Sequence, residues 1–275
     1  MTIDAHQHFW RIARGDYSWM DGSVAAISVD HLPEDLAQTA ADCDVTKTVV
    51  VQAAPTIAET KFLLELAETS NLIGAVVGWI DLEGDVAGQL ADIAHPALRG
   101  IRPMLQDIEQ TDWILRPDVI KGLRQIAEAG LRLDALVTPR HLDVIDHLAQ
   151  EIPNLPIVID HCAKPVFNGT DPGDDWREGM SRLASHPQVY CKLSGLANEF
   201  GTGWSARTLR SVFDHVIVSF GAQRVMWGSD WPVLNLAGDY RGWYAAAQEL
   251  ARDLTEEERD YLFERTASAF YDITA

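Results

Sequence analysis

Residues 155–161 read Leu-Pro-Ile-Val-Ile-Asp-His, an apolar run that ends in two polar residues. Such a run is typical of a strand in a parallel sheet that is buried on both faces, and it predicts a strand over residues 157–161. Strict alternation of strand and helix along the chain predicts a parallel sheet, and eight such units close into a barrel. Seven further strands are predicted at residues 3–8, 45–52, 73–80, 98–104, 131–137, 189–194 and 224–230. Helical periodicity separates them, among other places at residues 57–70, 119–129, 141–151 and 209–220.

Polar residues at the predicted strand ends distinguish a barrel from an open, doubly wound sheet. An open sheet gathers its functional groups at one switch point, whereas a barrel draws them from the ends of several strands. A length of 275 residues also suits one barrel. We therefore predict an α/β fold, a (β/α)8 or TIM barrel, with residues 1–275 as a single domain. The polar strand ends are Asp4-Ala5-His6-Gln7-His8, Gln52, Arg102, Asp160-His161, Lys192 and Asp230.

The composition excludes several classes of protein. The chain holds 22 basic and 41 acidic residues, which gives a net charge of −19. A surface of this charge repels nucleic acid and anionic membranes, so neither is an expected partner. Cys43, Cys162 and Cys191 are odd in number and lack zinc-site spacing, which argues against a disulfide framework. No run reaches the roughly 18 apolar residues of a membrane span. We expect a cytoplasmic protein.

The first predicted strand carries two histidines that are two residues apart. Side chains at this spacing point to the same face, so His6 and His8, together with Asp4, are expected to project into the barrel mouth. This arrangement is typical of metal ligands or of groups that clamp a substrate. The structural alternative is a pair of strand histidines whose hydrogen bonds are satisfied by neighbours.

His161 and Asp230 follow later strands and complete the candidate catalytic group. His161 ends the apolar strand quoted above, and its structural alternative is a hydrogen-bonded cap. Asp230 follows Gly228-Ser229 and precedes Trp231-Pro232, a context that lets a ligand approach closely. A carboxylate here can accept a proton from water or bind a metal. Its structural alternative is the N-cap of the next helix.

Three cations and several tryptophans are candidate substrate contacts. Arg102, Lys192 and Lys164 lie at or just after strand ends, and inward cations in an acidic chain suggest a substrate rich in oxygen atoms. Trp19 and Trp231 could stack on the C–H face of a sugar ring, as could Trp10, Trp79 and Trp204. Surface ion pairs and packing under loops are the structural alternatives. Six other histidines are expected to face solvent: His31, His95, His141, His147, His186 and His215.

Several of these segments together resemble the amidohydrolase superfamily, and most closely its branch of sugar lactonases, which includes L-fuconolactonase and L-rhamnonolactonase. The resemblance spans residues 3–232 in the expected order, and residues 267–271 are similar to that branch's ending. The segments that carry it are Asp4-Ala5-His6-Gln7-His8-Phe9-Trp10, Gly100-Ile101-Arg102-Pro103, Asp160-His161-Cys162-Ala163-Lys164-Pro165, Lys192-Leu193-Ser194-Gly195 and Trp227-Gly228-Ser229-Asp230-Trp231-Pro232.

The resemblance implies a metal site. Members of the superfamily bind a divalent metal, commonly zinc, through residues that correspond here to His6, His8, His161 and Asp230. Many members add a bridging lysine or a further histidine on the middle strands, where this chain has Arg102 and Asp134. We therefore do not expect a two-metal site. Some lactonases of this type are thought to work without metal, so one divalent ion and a metal-independent site both stay open.

The resemblance also implies a reaction. We expect a hydrolase that opens an aldonolactone, such as L-fucono- or L-rhamnonolactone, to the free acid. Asp230 would take a proton from water, the histidines or their metal would stabilise the oxyanion, and Arg102 and Lys192 would orient the ring oxygens. A lactone isomerase, a decarboxylase of the same superfamily and a non-catalytic binding barrel are the alternatives. Dimerisation is left open, with a homodimer as the candidate assembly.

Overall fold

The structure is a computed structural model, and it describes residues 1–274. Eight strands form one sheet in the order β1 to β8, and every neighbouring pair is parallel. The predicted α/β barrel of eight strands is therefore confirmed. The strands are β1 (Thr2–Gln7), β2 (Val45–Val51), β3 (Ile73–Gly78), β4 (Leu98–Ile101), β5 (Arg132–Ala135), β6 (Ile157–Ile159), β7 (Val189–Leu193) and β8 (Val225–Trp227).

Helices separate the strands along the chain. The four helical stretches predicted from periodicity are helices at Ile57–Thr69, Pro117–Glu128, Leu142–Glu151 and Ala206–Phe220, within about three residues of the predicted ends. Among the residues described, no helix has the length and hydropathy needed to cross a membrane. The helices are α1 (Pro33–Asp42), α2 (Ile57–Thr69), α3 (Val86–Asp92), α4 (Pro117–Glu128), α5 (Leu142–Glu151), α6 (Asp174–Ala184), α7 (Leu196–Phe200), α8 (Ala206–Phe220), α9 (Tyr240–Leu250), α10 (Glu256–Asp260) and α11 (Thr266–Tyr271).

The barrel closes where β1 meets the residues that follow β8. Gln7 pairs with Trp231 in a parallel bridge. The backbone N–H of Asp230 donates to the carbonyl of His6 at 2.7 Å, and the N–H of His8 donates to the carbonyl of Trp231 at 2.7 Å. The closing hydrogen bonds therefore hold the backbone of His6 and His8 directly against Asp230.

The C-terminal segment fills the end of the barrel opposite the carboxyl ends of the strands. Phe270, Tyr271 and Ile273 belong to the same buried cluster as the inward-facing strand residues. Ile273 lies against Gly74 near the start of β3, and Arg132 at the start of β5 donates to the carbonyl of Phe270. The C-terminal segment thus packs the interior from this end.

Several strands end earlier than the apolar pattern predicts, because the chain leaves the extended conformation. β6 ends at Ile159 and β8 at Trp227, so neither His161 nor Asp230 lies on a strand. His161 has a φ of +53°, the next three residues through Lys164 are also left-handed, and Asp230 has a φ of +60°. Residues in this conformation cannot continue a strand. The functional side chains therefore project from turns just beyond the strands.

Candidate active site

A bulge in β1 decides which of its polar side chains reach the barrel centre. Between Asp4 and Gln7, β1 holds one residue more than the part of β2 with which it pairs. An extra residue of this kind reverses the alternation of side chains. Asp4 instead accepts hydrogen bonds from Ser229 N at 2.8 Å and Tyr240 Oη at 2.9 Å. The expectation that Asp4 joins the two histidines is therefore wrong, and its carboxylate braces the loop after β8.

Three histidines direct their Nε2 atoms at one carboxylate oxygen. The Nε2 atoms of His8, His6 and His161 lie 3.3, 3.7 and 3.9 Å from Oδ1 of Asp230. All four residues are buried. The structure thus brings together the four residues that the sequence proposes as catalytic or metal-binding, although they come from the ends of three different strands. Their roles stay predictions.

The opposite ring nitrogen of each histidine is also held. Fixed Nδ1 partners set the orientation and tautomer of an imidazole, as they do in metal sites. His8 must donate through Nδ1 because its partner is a carbonyl, and in its neutral form it then has a lone pair on Nε2. The Nδ1 partners are Val51 O at 2.8 Å from His8 and Ser194 Oγ at 2.9 Å from His161, and His6 Nδ1 lies 3.2 Å from Lys192 Nζ and 3.3 Å from Asp160 Oδ1.

The site fits one divalent metal ion. Ligand atoms of His6, His161 and Asp230 lie within 4.8 Å of one another, and His8 Nε2 lies beside them. His6 Nε2 is buried and has no hydrogen-bond partner among the described residues. A buried polar atom without a partner is unfavourable, and coordination of a cation by its lone pair would satisfy it.

The charge states suit metal ligands. Burial lowers the pKa of His161 to about 4, against the opposing effect of Asp230. Burial and then the charge of Lys192 hold the pKa of His6 well below its usual value. For Asp230 burial opposes ionisation, but the neighbouring histidines, His161 first, hold its pKa below the ordinary range. Neutral imidazoles beside an ionised carboxylate are the protonation states in which these groups bind a metal.

A buried layer of charges lies behind His6. The ammonium of Lys192 is 2.5 Å from Asp134 Oδ2, 3.1 Å from Asp160 Oδ1 and 3.2 Å from His6 Nδ1. Burial alone would raise the pKa of Asp160, but the charges of Lys192 and His6 hold it well below its usual value. Lys192 has no exposed surface. The expected contact between Lys192 and substrate is therefore wrong, because two carboxylates occupy its ammonium group.

A cavity of about 220 Å³ opens above the four candidate residues. Arg102, Lys164 and Trp19 line it, together with His8, His161 and Asp230. Arg102 is anchored from behind by Asp160 Oδ2 at 3.4 Å and by the carbonyl of Gln52. Lys164 is half-buried and lies 3.2 Å from a carboxylate oxygen of Glu199. These two cations are placed to contact a ligand.

Two further expectations need correction. Trp231 does not line this cavity; it is buried between Phe9 and His31, with ring centroids 6.0 and 4.9 Å away. His141, expected to face solvent, is also buried, with its Nδ1 3.1 Å from Thr138 Oγ1. Loops around the barrel mouth cover the side chains of Trp231 and His141, although both residues adjoin polar or turn-forming residues in the sequence.

The sequence pattern indicates no specific role for two residues that hold the histidines, Asp160 and Ser194. Asp160 contacts His6, Lys192 and Arg102 at once, and Ser194 holds His161. The available signal was their position, because both are polar residues at the ends of predicted strands. Their partners could not be read from spacing, since they come from distant segments of the chain.

Comparison with known proteins identifies the family. The family model described as amidohydrolase matches residues 3–273. An L-fucono-1,5-lactonase of Burkholderia ambifaria is 43% identical, with 98% of this chain and 95% of the relative covered. An L-fucono-1,5-lactonase of Burkholderia multivorans is 34% identical, with 98% and 96% covered. A crystal structure of a Burkholderia multivorans amidohydrolase with bound zinc superposes with a TM-score of 0.94 at 33% identity over 100% of both chains. The chain belongs to the amidohydrolase family.

Proposed function

We propose that this protein hydrolyses a sugar-acid lactone to the open hydroxy acid, with L-fucono-1,5-lactone as the first candidate substrate. The observation that carries the proposal is the convergence of three Nε2 atoms on Asp230 beside a cavity that also presents Arg102. Relatives named L-fucono-1,5-lactonase, similar over nearly the whole chain, support the choice of substrate. L-rhamnonolactone is the next candidate.

In the proposed reaction Asp230 is the general base. Its Oδ1 faces the imidazoles, which leaves Oδ2 for the proton of a water molecule. As that proton moves, the water oxygen bonds to the lactone carbonyl carbon and the carbonyl oxygen becomes an oxyanion. Asp230 then returns the proton to the ring oxygen while the bond between the carbonyl carbon and the ring oxygen breaks. The products are one carboxyl group and one hydroxyl group, which together account for the added water.

The cations on the cavity wall bind and orient the lactone. The guanidinium of Arg102 is held from behind, so its free N–H groups can donate to the carbonyl oxygen or to ring hydroxyls. Lys164 can donate to hydroxyls farther from the reacting carbon. Trp19, whose Nε1 is fixed by the carbonyl of Ala53 at 2.8 Å, offers an apolar surface to the C–H face of the ring.

We propose zinc as the ion of this site. A divalent ion held by His6, His161 and Asp230, with His8 beside them, would polarise the carbonyl and lower the pKa of water. His8 Nδ1 lies 2.8 Å from the carbonyl of Val51, so its Nε2 faces the other candidate ligands. The related structure with bound zinc supports the choice of metal.

The test is a pH-indicator assay of the purified protein against aldonolactones and aldarolactones, with and without a chelator. We expect acid release from a 1,5-lactone, loss of activity on chelation and recovery with zinc. If no lactone releases acid, the proposal fails, and NMR of the mixtures would then identify a rearranged lactone from an isomerase or a decarboxylated product. Full activity after chelation would exclude the proposed role of the metal and leave the lactonase proposal standing.

The cellular setting is also proposed from the sequence. The net charge of −19 and the lack of a disulfide framework favour a cytoplasmic enzyme that does not bind nucleic acid. A homodimer is the proposed assembly, and light scattering of the purified protein checks it.

A further inference from the structure

A second and larger cavity lies beside the catalytic one. Its volume is about 480 Å³, against about 220 Å³ for the cavity above Asp230. The two cavities share Trp19, Met104 and Asp107 as wall residues, so they adjoin each other. Sites for small molecules occupy roughly 300–1,000 Å³. The second cavity therefore has the volume of a small-molecule site.

Three indole rings line the second cavity. Trp79 follows β3 directly, Trp113 lies in the turn before α4, and Trp19 separates this cavity from the catalytic one. The Trp113 ring is fixed by a hydrogen bond from Nε1 to Glu83 Oε2 at 3.2 Å, and Trp19 is fixed by Ala53. Rigid aromatic surfaces pack well against the C–H faces of sugar rings, and they need little ordering when the ligand binds.

The charge of the lining selects among ligands. The lining includes the carboxylates of Asp81, Glu83 and Asp107. Among the residues described, no lysine, arginine or histidine lines this cavity. Arg116 pairs with Glu83 at 2.9 Å, which leaves the other two carboxylates without an ion-pair partner in residues 1–274. Carboxylates repel an anion such as a sugar acid and accept hydrogen bonds from hydroxyl groups. The lining therefore matches a neutral, polyhydroxylated ring.

We propose that the second cavity is an accessory subsite for a neutral pyranose ring that is linked to the lactone in the catalytic cavity. The inference rests on the proposed function, because it places a lactone above Asp230. It extends the substrate class from simple aldonolactones to lactones that carry a glycosyl group. Each ring then has its own cavity, and Trp19 contacts both.

The kinetic test compares an aldono-1,5-lactone with the same lactone carrying a pyranosyl substituent. We expect a KM about fivefold lower for the substituted lactone, as one stacking contact provides. Trp79→Leu and Trp113→Leu should each abolish this ratio. Trp204→Leu is the control, because half-buried Trp204 packs on Trp243 and lines neither cavity. The ratio is internal to each variant, so partial misfolding does not affect it.

Two kinetic outcomes separate the subsite from the proposed function. If the simple lactone is hydrolysed and the substituted one has no lower KM, or if the ratio survives both substitutions, the subsite proposal is overturned and the lactonase stands. If neither lactone is hydrolysed, the proposed function fails, and a binding measurement then decides on the subsite alone.

That measurement is the quenching of tryptophan fluorescence by cellobiose, a neutral disaccharide. We expect saturable quenching that weakens about fivefold in Trp79→Leu and is unchanged in Trp204→Leu. Aromatic rings beside carboxylates also suit quaternary ammonium ions. Saturable quenching by choline but not by cellobiose would show a cation site and overturn the proposal, as would no saturable quenching by either probe.

Discussion

Gly195 is the position at which one added methyl group should displace a candidate metal ligand. It lies directly before α7 with a φ of +65°, and a Cβ built there would be 2.5 Å from His161 Nδ1 and 2.7 Å from His161 Cγ. Ordinary contacts of a Cβ begin at 3.4 Å, so the imidazole in Gly195→Ala must move by about 0.9 Å. That movement breaks its hydrogen bond to Ser194 and turns Nε2 away from Asp230.

A misplacement of this size lowers catalytic efficiency by about 100-fold. Backbone strain accompanies it, because alanine in a left-handed conformation costs on the order of 1 kcal/mol. Gly15→Ala separates the two effects. Gly15 is left-handed like Gly195, with a φ of +75°, and no atom lies within 4 Å of its Cβ position. The two variants should lose similar stability, and only Gly195→Ala should lose activity and bound zinc.

The assay combines kcat/KM for lactone hydrolysis, zinc content and thermal unfolding of the two variants. We expect nearly equal Tm values and a difference of about 100-fold in kcat/KM. Gly195→Ala that keeps both the activity and the zinc content of Gly15→Ala would show that His161 has not moved.

Three further variants test stability. Burial raises the pKa of Glu59 to about 7, even though backbone N–H groups of Ala53 and Ala54 donate to it. Because this pKa lies above the unfolded value of 4.5, the contribution of Glu59 to the stability of the fold is fully present below pH 4.5 and is lost as pH rises through 7. The free energy of unfolding of Glu59→Gln, measured in urea relative to that of wild type, should therefore rise by on the order of 3 kcal/mol as pH increases through this range. A difference between the two proteins that does not depend on pH would be inconsistent with the raised pKa of Glu59. Lys192→Met leaves two carboxylates buried without their cation and should lower the free energy of unfolding by about 3–5 kcal/mol. Tyr271→Phe loses one 2.6 Å hydrogen bond to Asp134 and should cost about 2 kcal/mol; equal losses in these two variants would argue against the buried charge layer.

The barrel could be predicted because buried parallel strands leave a simple trace in sequence. Apolar runs such as residues 155–159 alternate with helical periodicity, and neither signal depends on distant contacts. The convergence of His6, His8, His161 and Asp230 followed from the same logic, since parallel strands place their carboxyl ends at one edge. The matching family model and relatives agree with this fold and with the expected resemblance.

Other features depend on tertiary structure that the pattern does not encode. The extra residue in β1 removes Asp4 from the site, and it is visible only in the pairing of β1 with β2. The left-handed turn from His161 to Lys164 places two site residues without any glycine to signal it. Lys192 was expected to touch substrate because of its place near a strand end, but its carboxylate partners come from two other strands.

The role of Asp230 in lactone hydrolysis is tested most directly by turnover of L-fucono-1,5-lactone by the zinc-loaded protein and by Asp230→Asn, followed by NMR. We expect ring opening by wild type and a loss on the order of 1,000-fold in kcat for the variant, with unchanged circular dichroism. Near-normal kcat in the folded variant would contradict the role of Asp230, and an intact lactone in the wild-type sample would contradict the proposed substrate.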